Sequence, residues 1–133
     1  MTVTFKSVTP NLMARSVDAT VAFYERNLGF SVAVTVPLIP PYTWAMLVRD
    51  GVTLMFQKTD SLLEEYPTLG RNAIGSTFTL FVEVAHAGEL YNKLKRRDGI
   101  IFLKSLGQTT YGKWEFAIQD NNGYVLVFAS DAG

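Results

Sequence analysis

The chain has 133 residues, of which 48% are hydrophobic and 18% charged, and this composition predicts one folded domain and excludes a disordered chain. Twelve basic and twelve acidic residues cancel, so no general field favours nucleic acid or an anionic membrane. Cysteine is absent, which excludes disulfides, thiolate metal sites and a cysteine nucleophile. No apolar stretch has the length of a signal-peptide core or a membrane span, so we expect a cytoplasmic protein.

The segment Thr9–Phe30 predicts a strand followed by a capped helix. Ser16 or Asp18 can accept free backbone N–H groups at the start of the helix, and apolar residues then recur at helical spacing. Gly29 supplies a left-handed residue that ends the helix. A β-branched run from Phe30 to Val36 predicts the next strand, which prolines then break.

The remaining chain predicts further strands, two more helices and two hairpins. Asp50-Gly51 and Asn122-Gly123 each lie between apolar runs, which is a strong hairpin signal. The other predicted elements are a short helix at 60–65 in the connector, a strand at 77–84, a helix at 87–97 and a strand at 100–104, followed by a flexible segment at 105–112.

The two halves have the same order of elements. Trp44 precedes AMLVRD and Trp114 precedes EFAIQD, and a similar apolar strand follows each hairpin. Such internal similarity indicates a duplicated unit. We therefore predict an α+β fold with two tandem βαβββ modules, residues 1–66 and 67–133, which form a curved mixed sheet around a cleft with the helices on the outer face.

Three segments carry a resemblance to a known family: TPNLMARSVDATVAFYERNLGF, TWAMLVRDGVTLMF and YGKWEFAIQDNNGYVLVF. Together they cover most of the chain, and they resemble the glyoxalase, bleomycin-resistance and extradiol-dioxygenase superfamily, also called the vicinal oxygen chelate fold. The resemblance is greatest to the bleomycin-resistance branch. It implies the same paired-module fold that the internal repeat predicts.

The resemblance also implies where a metal would be held. Enzymes of this superfamily hold a divalent metal with four inward-facing side chains, usually His, Glu or Gln. The corresponding positions here are Asn11, Met55, Thr79 and Val127, and none is a histidine or a carboxylate. Methionine and valine cannot hold a hard divalent cation. We therefore expect neither metal nor another cofactor, and no catalytic residue is nominated.

An alternative remains open at this point. Gln57 shares a strand face with Met55, and Glu83 shares one with Thr79, so an atypical metal site could combine Asn11, Gln57 and Glu83. The lone histidine, His86, precedes a helix and is interpreted as a surface or capping residue. The alternative function is thus a glyoxalase-like or dioxygenase-like enzyme, either metal-free or with an atypical metal site.

The residues favour a dry, aromatic ligand site. Mostly apolar atoms replace the metal cage, and four aromatic residues are predicted near the cleft: Tyr42, Trp44, Tyr111 and Trp114. The resemblance implies that an aromatic residue at Tyr111 stacks on drug rings. The two tryptophans have an equally strong alternative interpretation as core residues at equivalent repeat positions.

These observations together predict a non-catalytic protein that sequesters a small, largely apolar or aromatic molecule, such as an antibiotic. The ligand-binding residues would be Asn11, Tyr42, Trp44, Met55, Thr79, Tyr111, Trp114 and Val127. The bleomycin-resistance branch implies a homodimer, although its members are acidic and this chain is neutral. The basic cluster at 93–97 is interpreted as a solvated helix face, so no nucleic-acid partner and no membrane partner are expected.

Overall fold

The computed structural model describes residues 2–70, 74 and 77–133, and within them the chain forms eight strands and three helices. The chain divides into two compact units, residues 1–69 and 70–133. None of the helices in this described part has both the length and the apolar composition that a membrane crossing requires.

Unit 1 consists of β1 (Asn11–Ala14), α1 (Val17–Leu28), β2 (Ser31–Val36), β3 (Trp44–Arg49), β4 (Val52–Lys58) and α2 (Thr59–Glu65). Its four strands form one sheet in the order β1-β4-β3-β2. The first strand runs parallel to β4, and the other neighbours are antiparallel.

Unit 2 consists of β5 (Thr79–Glu83), α3 (Ala87–Lys95), β6 (Ile101–Gln108), β7 (Trp114–Gln119) and β8 (Val125–Ser130). Its sheet order, β5-β8-β7-β6, repeats the order of unit 1, again with one parallel pair. The predicted α+β fold of two βαβββ modules is therefore confirmed.

Local signals determine both ends of α1. The Ser16 hydroxyl oxygen accepts a hydrogen bond from the Ala19 N–H at 3.1 Å, which satisfies one of the free donors of the first turn. Gly29 has φ +66°, a conformation that costs other residues about 1–2 kcal/mol. The predicted cap and stop are both confirmed.

Helices α1 and α3 each pack an aromatic residue against one face of their own sheet. In unit 1, the fully buried Tyr24 ring of α1 lies 5.1 Å from the Phe56 ring of β4, centroid to centroid. In unit 2, the Tyr91 ring of α3 lies 5.3 Å from that of Phe102 and 5.2 Å from that of Phe116. Because strand residues alternate between faces, these contacts identify the helix-packed face of each sheet.

The opposite face of each sheet is called its distal face here. In unit 1 the register places the following residues there: Asn11, Met13, Trp44, Met46, Val48, Thr53, Met55 and Gln57. In unit 2 the distal face carries Thr79, Phe81, Glu83, Glu115, Ala117, Gln119, Val125, Val127 and Ala129.

Strand β6 differs from its prediction. The segment 105–112 was predicted as a flexible loop, but pairing continues to Gln108 opposite Trp114, with register shifts along the way. The Thr109 N–H then donates to the Lys113 carbonyl at 2.8 Å, which closes a hairpin. The prediction was wrong for 105–108, because the bulged register removes the simple alternation that marks a strand in the sequence, whereas 109–112 lies between the strands as predicted.

Candidate ligand-binding faces

The distal face of unit 1 brings three of the predicted site residues together. Asn11 lies directly opposite Met55 on the neighbouring parallel strand, so their side chains share this face. Trp44 on β3 lies opposite Gln57 on the antiparallel neighbour β4. Gln57 is two residues after Met55 and shares its strand face. Trp44 and Met55 are half-buried and Asn11 is exposed, so this face presents an indole, a thioether and an amide.

A chain of hydrogen bonds connects this face to α2. The Asn11 Nδ2 donates to Gln57 Oε1 at 2.8 Å. The Gln57 Nε2 in turn donates to Ser61 Oγ at 2.9 Å and to Glu65 Oε1 at 3.2 Å. Gln57 is only 9% exposed, so these bonds satisfy an amide that would otherwise be costly to bury. The two amides are thereby held in fixed positions beside Met55.

These residues do not fit a divalent metal. The amide oxygens of Asn11 and Gln57 are the candidate ligands, but the Gln57 oxygen already accepts a hydrogen bond from Asn11. The thioether of Met55 is a soft donor that Mg²⁺, Mn²⁺ and Zn²⁺ disfavour relative to imidazole or carboxylate. Among the described residues, no group of three or more His, Cys, Asp or Glu side chains could hold a metal ion.

Tyr42 lies outside the strands, in the segment between β2 and β3. Its backbone N–H donates to Asp18 Oδ1 at 3.2 Å, which ties this segment to the first turn of α1. Tyr42 itself is half-buried. Asp18, considered in the sequence as a cap of α1, thus also anchors the segment that carries one of the predicted site residues.

The distal face of unit 2 carries Thr79 and Val127. Thr79 lies opposite Val125, and Val127 lies opposite Phe81 on the same parallel pair of strands. Thr79 and Phe81 are exposed and Val127 is half-buried. These four residues on the parallel strand pair of unit 2 are thus mainly apolar, whereas the corresponding pair in unit 1 also carries the amides of Asn11 and Gln57.

Trp114 lies on the helix-packed face of unit 2. It shares a strand face with Phe116, which contacts α3, and not with Glu115 or Ala117. A Cβ atom placed on Gly133 would lie 3.3 Å from Trp114 Cε2, so the indole packs against the backbone there. Trp44 and Trp114 therefore occupy opposite kinds of face, although the sequence places them at matching points of the repeat. Ligand binding by Trp114 stays a prediction.

A polar cluster that the sequence did not reveal lies on the distal face of unit 2. The carboxylate of Glu115, 7% exposed, accepts a hydrogen bond from the Tyr111 hydroxyl at Oε2 and one from Lys104 Nζ, 3.0 Å away, at Oε1. The signal available was a charged residue inside the apolar strand segment WEFAI. Such a residue is rarely buried without partners.

The hydrogen bonds of this cluster shift the pKa values of Glu115 and Tyr111 in opposite directions. The hydrogen bond from Tyr111, followed by that from Lys104, lowers the pKa of the Glu115 carboxyl, and burial only partly opposes this. The hydrogen bond to Glu115 raises the pKa of the Tyr111 phenol. At neutral pH the Glu115 carboxylate therefore accepts a hydrogen bond from the neutral phenol of Tyr111. Tyr111 itself is 62% exposed.

Further charges surround this cluster. Lys113 Nζ lies 3.2 Å from Asp131 Oδ1, and the hydrogen bond to Asp131 raises the pKa of Lys113, with a smaller contribution from Glu83. Glu83 and Glu115 both lie opposite Ala129, one on each side of β8. The distal face of unit 2 thus combines carboxylates, ammonium groups and one exposed phenol.

His86 takes no part in these clusters. It occupies the position before α3, is exposed and makes no side-chain hydrogen bond as a cap. Its backbone forms an isolated bridge with Ala132. The interpretation of His86 as a surface or capping residue agrees with its exposure and with its place at the N-cap of α3, where its side chain makes no capping hydrogen bond.

Comparison with known proteins identifies the class. The sequence profile of the Glyoxalase/Bleomycin resistance protein/Dioxygenase superfamily matches residues 5–128. The chain therefore belongs to this superfamily, and the resemblance noted from the sequence is confirmed. A bleomycin resistance protein of Klebsiella pneumoniae is 31% identical over 87 residues, which are 65% of this chain and 57% of that protein. The matched region thus spans somewhat more than half of the curated relative.

Solved structures give the same result for the fold. A bleomycin resistance determinant encoded on the transposon Tn5 is 27% identical, with a TM-score of 0.66 over 96% of this chain and 98% of that chain. The bleomycin-binding protein from bleomycin-producing Streptomyces verticillus, solved with copper(II)-bleomycin, is 24% identical, with a TM-score of 0.69 over 99% of both chains. At 24% identity the second likeness concerns the fold alone.

Proposed function

We propose that this protein is a non-catalytic binder that sequesters a small, largely apolar or aromatic molecule, with an antibiotic as the leading class of ligand. The observation that carries the proposal is the distal face of unit 1, where Trp44 and Met55 lie beside the fixed amides of Asn11 and Gln57. Such surfaces bind planar molecules by burial and stacking, and a few polar groups set the orientation.

The composition of this face favours binding over chemistry. The positions that would hold a metal in enzymes of the superfamily carry Asn11 and Met55 in unit 1, and the amide of Gln57 is already engaged by three partners. The relative in Klebsiella pneumoniae is named as a bleomycin resistance protein, which supports an antibiotic as the ligand class. We extend the proposal to Tyr42, Thr79, Tyr111, Trp114 and Val127 as further ligand contacts.

Tryptophan fluorescence tests the proposal directly. The chain has two tryptophans, and Trp114 is itself a proposed contact, so the unaltered protein and Trp114→Phe are both titrated. The variant isolates the emission of Trp44. We expect titration with a panel of bleomycins and planar aromatic antibiotics to quench or shift the Trp44 emission for at least one compound. Flat traces across the panel would refute the proposal.

A pair of variants separates a specific site from nonspecific quenching. Met55→Lys places a charge on the distal face of unit 1 and should weaken binding about tenfold or more, because an ammonium would have to be desolvated against the ligand. Ala19→Lys adds the same charge on the exposed side of α1 and should leave binding unchanged. Equal loss of affinity in both variants would contradict the proposed location.

We also propose that the protein functions as a homodimer. Strand β2 is at the edge of its sheet, and Val32, Val34 and Val36 on it are 36%, 47% and 51% exposed. An exposed apolar edge strand favours association with another chain. Light scattering coupled to size exclusion should give a dimer mass, and Val34→Lys should lower it. A monomer mass for the unaltered protein at micromolar concentration would contradict this proposal.

A further inference from the structure

We propose that Met46 and Met55 form a binding site for a soft monovalent metal ion, Cu(I) or Ag(I), on the distal face of unit 1. Trp44, on the same face, provides an indole ring beside the ion. The inference goes beyond the proposed function and does not depend on it, because the bound species is a metal ion held by thioether sulfur.

The register of β3 and β4 places the two thioethers side by side. Met46 and Met55 are direct cross-strand partners. Just before β3, the Lys58 N–H donates to the Thr43 carbonyl at 2.8 Å, so these two residues form a hydrogen-bonded pair. The two kinds of pair alternate along an antiparallel ladder, so Met46 and Met55, three steps further along, form a non-hydrogen-bonded pair. The Cβ atoms of such a pair are about 4.5 Å apart.

Two thioethers at this spacing have the chemistry of a soft-metal site. Thioether sulfur favours Cu(I), whereas hard divalent ions prefer carboxylate, carbonyl and water oxygens. A methionine side chain is unbranched and has three rotatable bonds, so two sulfur atoms on neighbouring strands can approach one ion without movement of the backbone. Met46 and Met55 are both half-buried, so the ion reaches them from solvent and is then partly shielded from water.

The surroundings of the pair favour a cation. Trp44 precedes Met46 by two residues on the same strand face, and an indole face attracts a cation within about 6 Å of its ring centroid. The carboxylate of Glu65, 3.2 Å from Gln57 Nε2, adds a negative charge beyond Gln57. The residues that adjoin the pair on the distal face are neutral: Asn11, Val34, Trp44, Val48, Thr53 and Gln57.

This site differs from the divalent-metal arrangement of the superfamily. Of the four corresponding positions, Asn11, Met55, Thr79 and Val127, only Met55 belongs to the proposed pair. Met46 lies on β3, a strand that supplies none of those four positions. The donors are therefore soft where the enzymes of the superfamily use hard or borderline ones, and they come from an antiparallel pair of strands.

The composition of the chain limits the competing donors. Cysteine is absent, and the chain has four methionines and one histidine. Met13 is only 7% exposed, and its cross-strand neighbour is Gln57 and not another methionine. His86 is exposed and lies in unit 2. A soft ion that binds at one site can therefore be assigned by removing these donors singly.

Titration of the full chain with silver nitrate tests the site, followed by the methionine methyl NMR signals. We expect the signals of Met46 and Met55 to shift together and to saturate at one ion per chain. In Trp114→Phe, the Trp44 emission should be quenched with the same midpoint. Shifts confined to the other methionines and His86, or no saturable shift, would overturn the proposal.

Metal selectivity gives a second measurement. Zinc and magnesium ions at the same concentration should leave the Met46 and Met55 signals unchanged, because these ions disfavour thioether sulfur. Cu(I), kept reduced by ascorbate under nitrogen, should reproduce the Ag(I) shifts. An equal response to zinc would overturn the assignment of a soft site.

Matched leucine variants locate the donors. Met46→Leu and Met55→Leu keep a similar volume, so the fold should be retained, which an unchanged circular-dichroism spectrum checks. Each should weaken Ag(I) binding about tenfold or more, since changes even in the partners of metal ligands cost 10–100-fold. Met13→Leu makes the same change on the same face, and His86→Gln removes the imidazole, and both should leave the affinity unchanged. A loss in Met13→Leu equal to that in Met46→Leu would overturn the assignment to the cross-strand pair.

A stability measurement separates lost binding from lost folding. A ligand that binds the native state raises the unfolding midpoint, so Ag(I) should raise it in the unaltered protein and not in Met46→Leu. An equal rise in both proteins would refute the location. Failure of the proposed function is seen separately, because Trp44 emission would then stay flat with every antibiotic of the panel and still be quenched by Ag(I).

Discussion

Gln57 offers the sharpest test of how the distal face of unit 1 is organised. Its amide accepts from Asn11 at 2.8 Å and donates to Ser61 at 2.9 Å and to Glu65 at 3.2 Å. The substitution Gln57→Leu keeps a similar volume and removes all three bonds. It also releases α2 from the end of β4, because two of the partners lie on that helix.

The expected loss of unfolding free energy follows from these contacts. The bonds to Asn11 and Ser61 join neutral groups and contribute about 1 kcal/mol each. Glu65 is exposed, so water replaces its bond to Gln57 and the net contribution is about 0.5 kcal/mol. Leucine recovers part of this by burying apolar surface at a site that is 9% exposed. We therefore expect Gln57→Leu to lower the free energy of unfolding by about 1–2 kcal/mol.

Urea unfolding followed by circular dichroism measures this difference. The matched control is Gln108→Leu, which makes the same change at an exposed position of β6 and should lie within about 0.5 kcal/mol of the unaltered protein. An unfolding free energy for Gln57→Leu equal to that of the control would show that the network contributes nothing, and the proposed fixed amides would lose their basis.

The variant Gln57→Glu adds a test with a pH dependence. The new carboxyl can still accept from Asn11, but it donates nothing when ionised and lies beside Glu65. The negative charge of Glu65 should raise the pKa of the introduced carboxyl at position 57 in the folded protein above its value in the unfolded chain. Stability should therefore recover as the pH falls through that raised pKa, when the protonated group can donate again. A flat difference from the unaltered protein between pH 4 and pH 7 would contradict this reasoning.

The remaining predictions concern the core, a cap and acid stability. Tyr24→Ala should cost about 3–5 kcal/mol of unfolding free energy because Tyr24 is fully buried, whereas Tyr66→Ala at a 54% exposed site should cost less than about 0.5 kcal/mol, both by urea unfolding. Gly29→Ala should lower the thermal midpoint through about 1–2 kcal/mol of backbone strain at φ +66°. The Tyr111 hydrogen bond lowers the folded pKa of Glu115, so that contribution is present at neutral pH and lost as the pH falls through the folded pKa. Glu115→Gln should make the free energy of unfolding depend less on pH in the acidic range. An unchanged pH dependence would refute the attribution of this stability to the Tyr111 hydrogen bond.

Local signals made much of the fold predictable. The ends of α1 depend on Ser16 and Gly29, which act on backbone groups within a few residues. The first hairpin depends on Asp50-Gly51, and Asp50 indeed takes φ +49°. The second hairpin is held by the Asp120 carboxylate, which accepts from the Asn122 and Tyr124 N–H groups. Features of this kind need no information from distant parts of the chain.

The missed features depend on register and on distant partners. The sequence left open whether Trp44 and Trp114 are core or ligand-site residues, and their matching places in the repeat do not reveal that they lie on different kinds of face, because a shift of one residue moves a strand side chain to the opposite face. The Glu115 cluster joins side chains from β6, from the hairpin and from β7, and two register shifts interrupt the pairing that brings Lys104 near. Spacing in the sequence does not encode such shifts, so the cluster could not be derived from it.

The pairing of β1 with β4 has a consequence for the order in which the chain assembles during synthesis. Among the residues that the structure describes, the first strand pairs with β4 alone, so Asn11 must wait for Met55 to emerge from the ribosome before it has a sheet neighbour. The antiparallel strands β2, β3 and β4 need shorter loops and can pair as they appear, so we expect the meander to form first and β1 to close the sheet. A released chain that ends after α2 already contains every strand that the sheet of unit 1 requires.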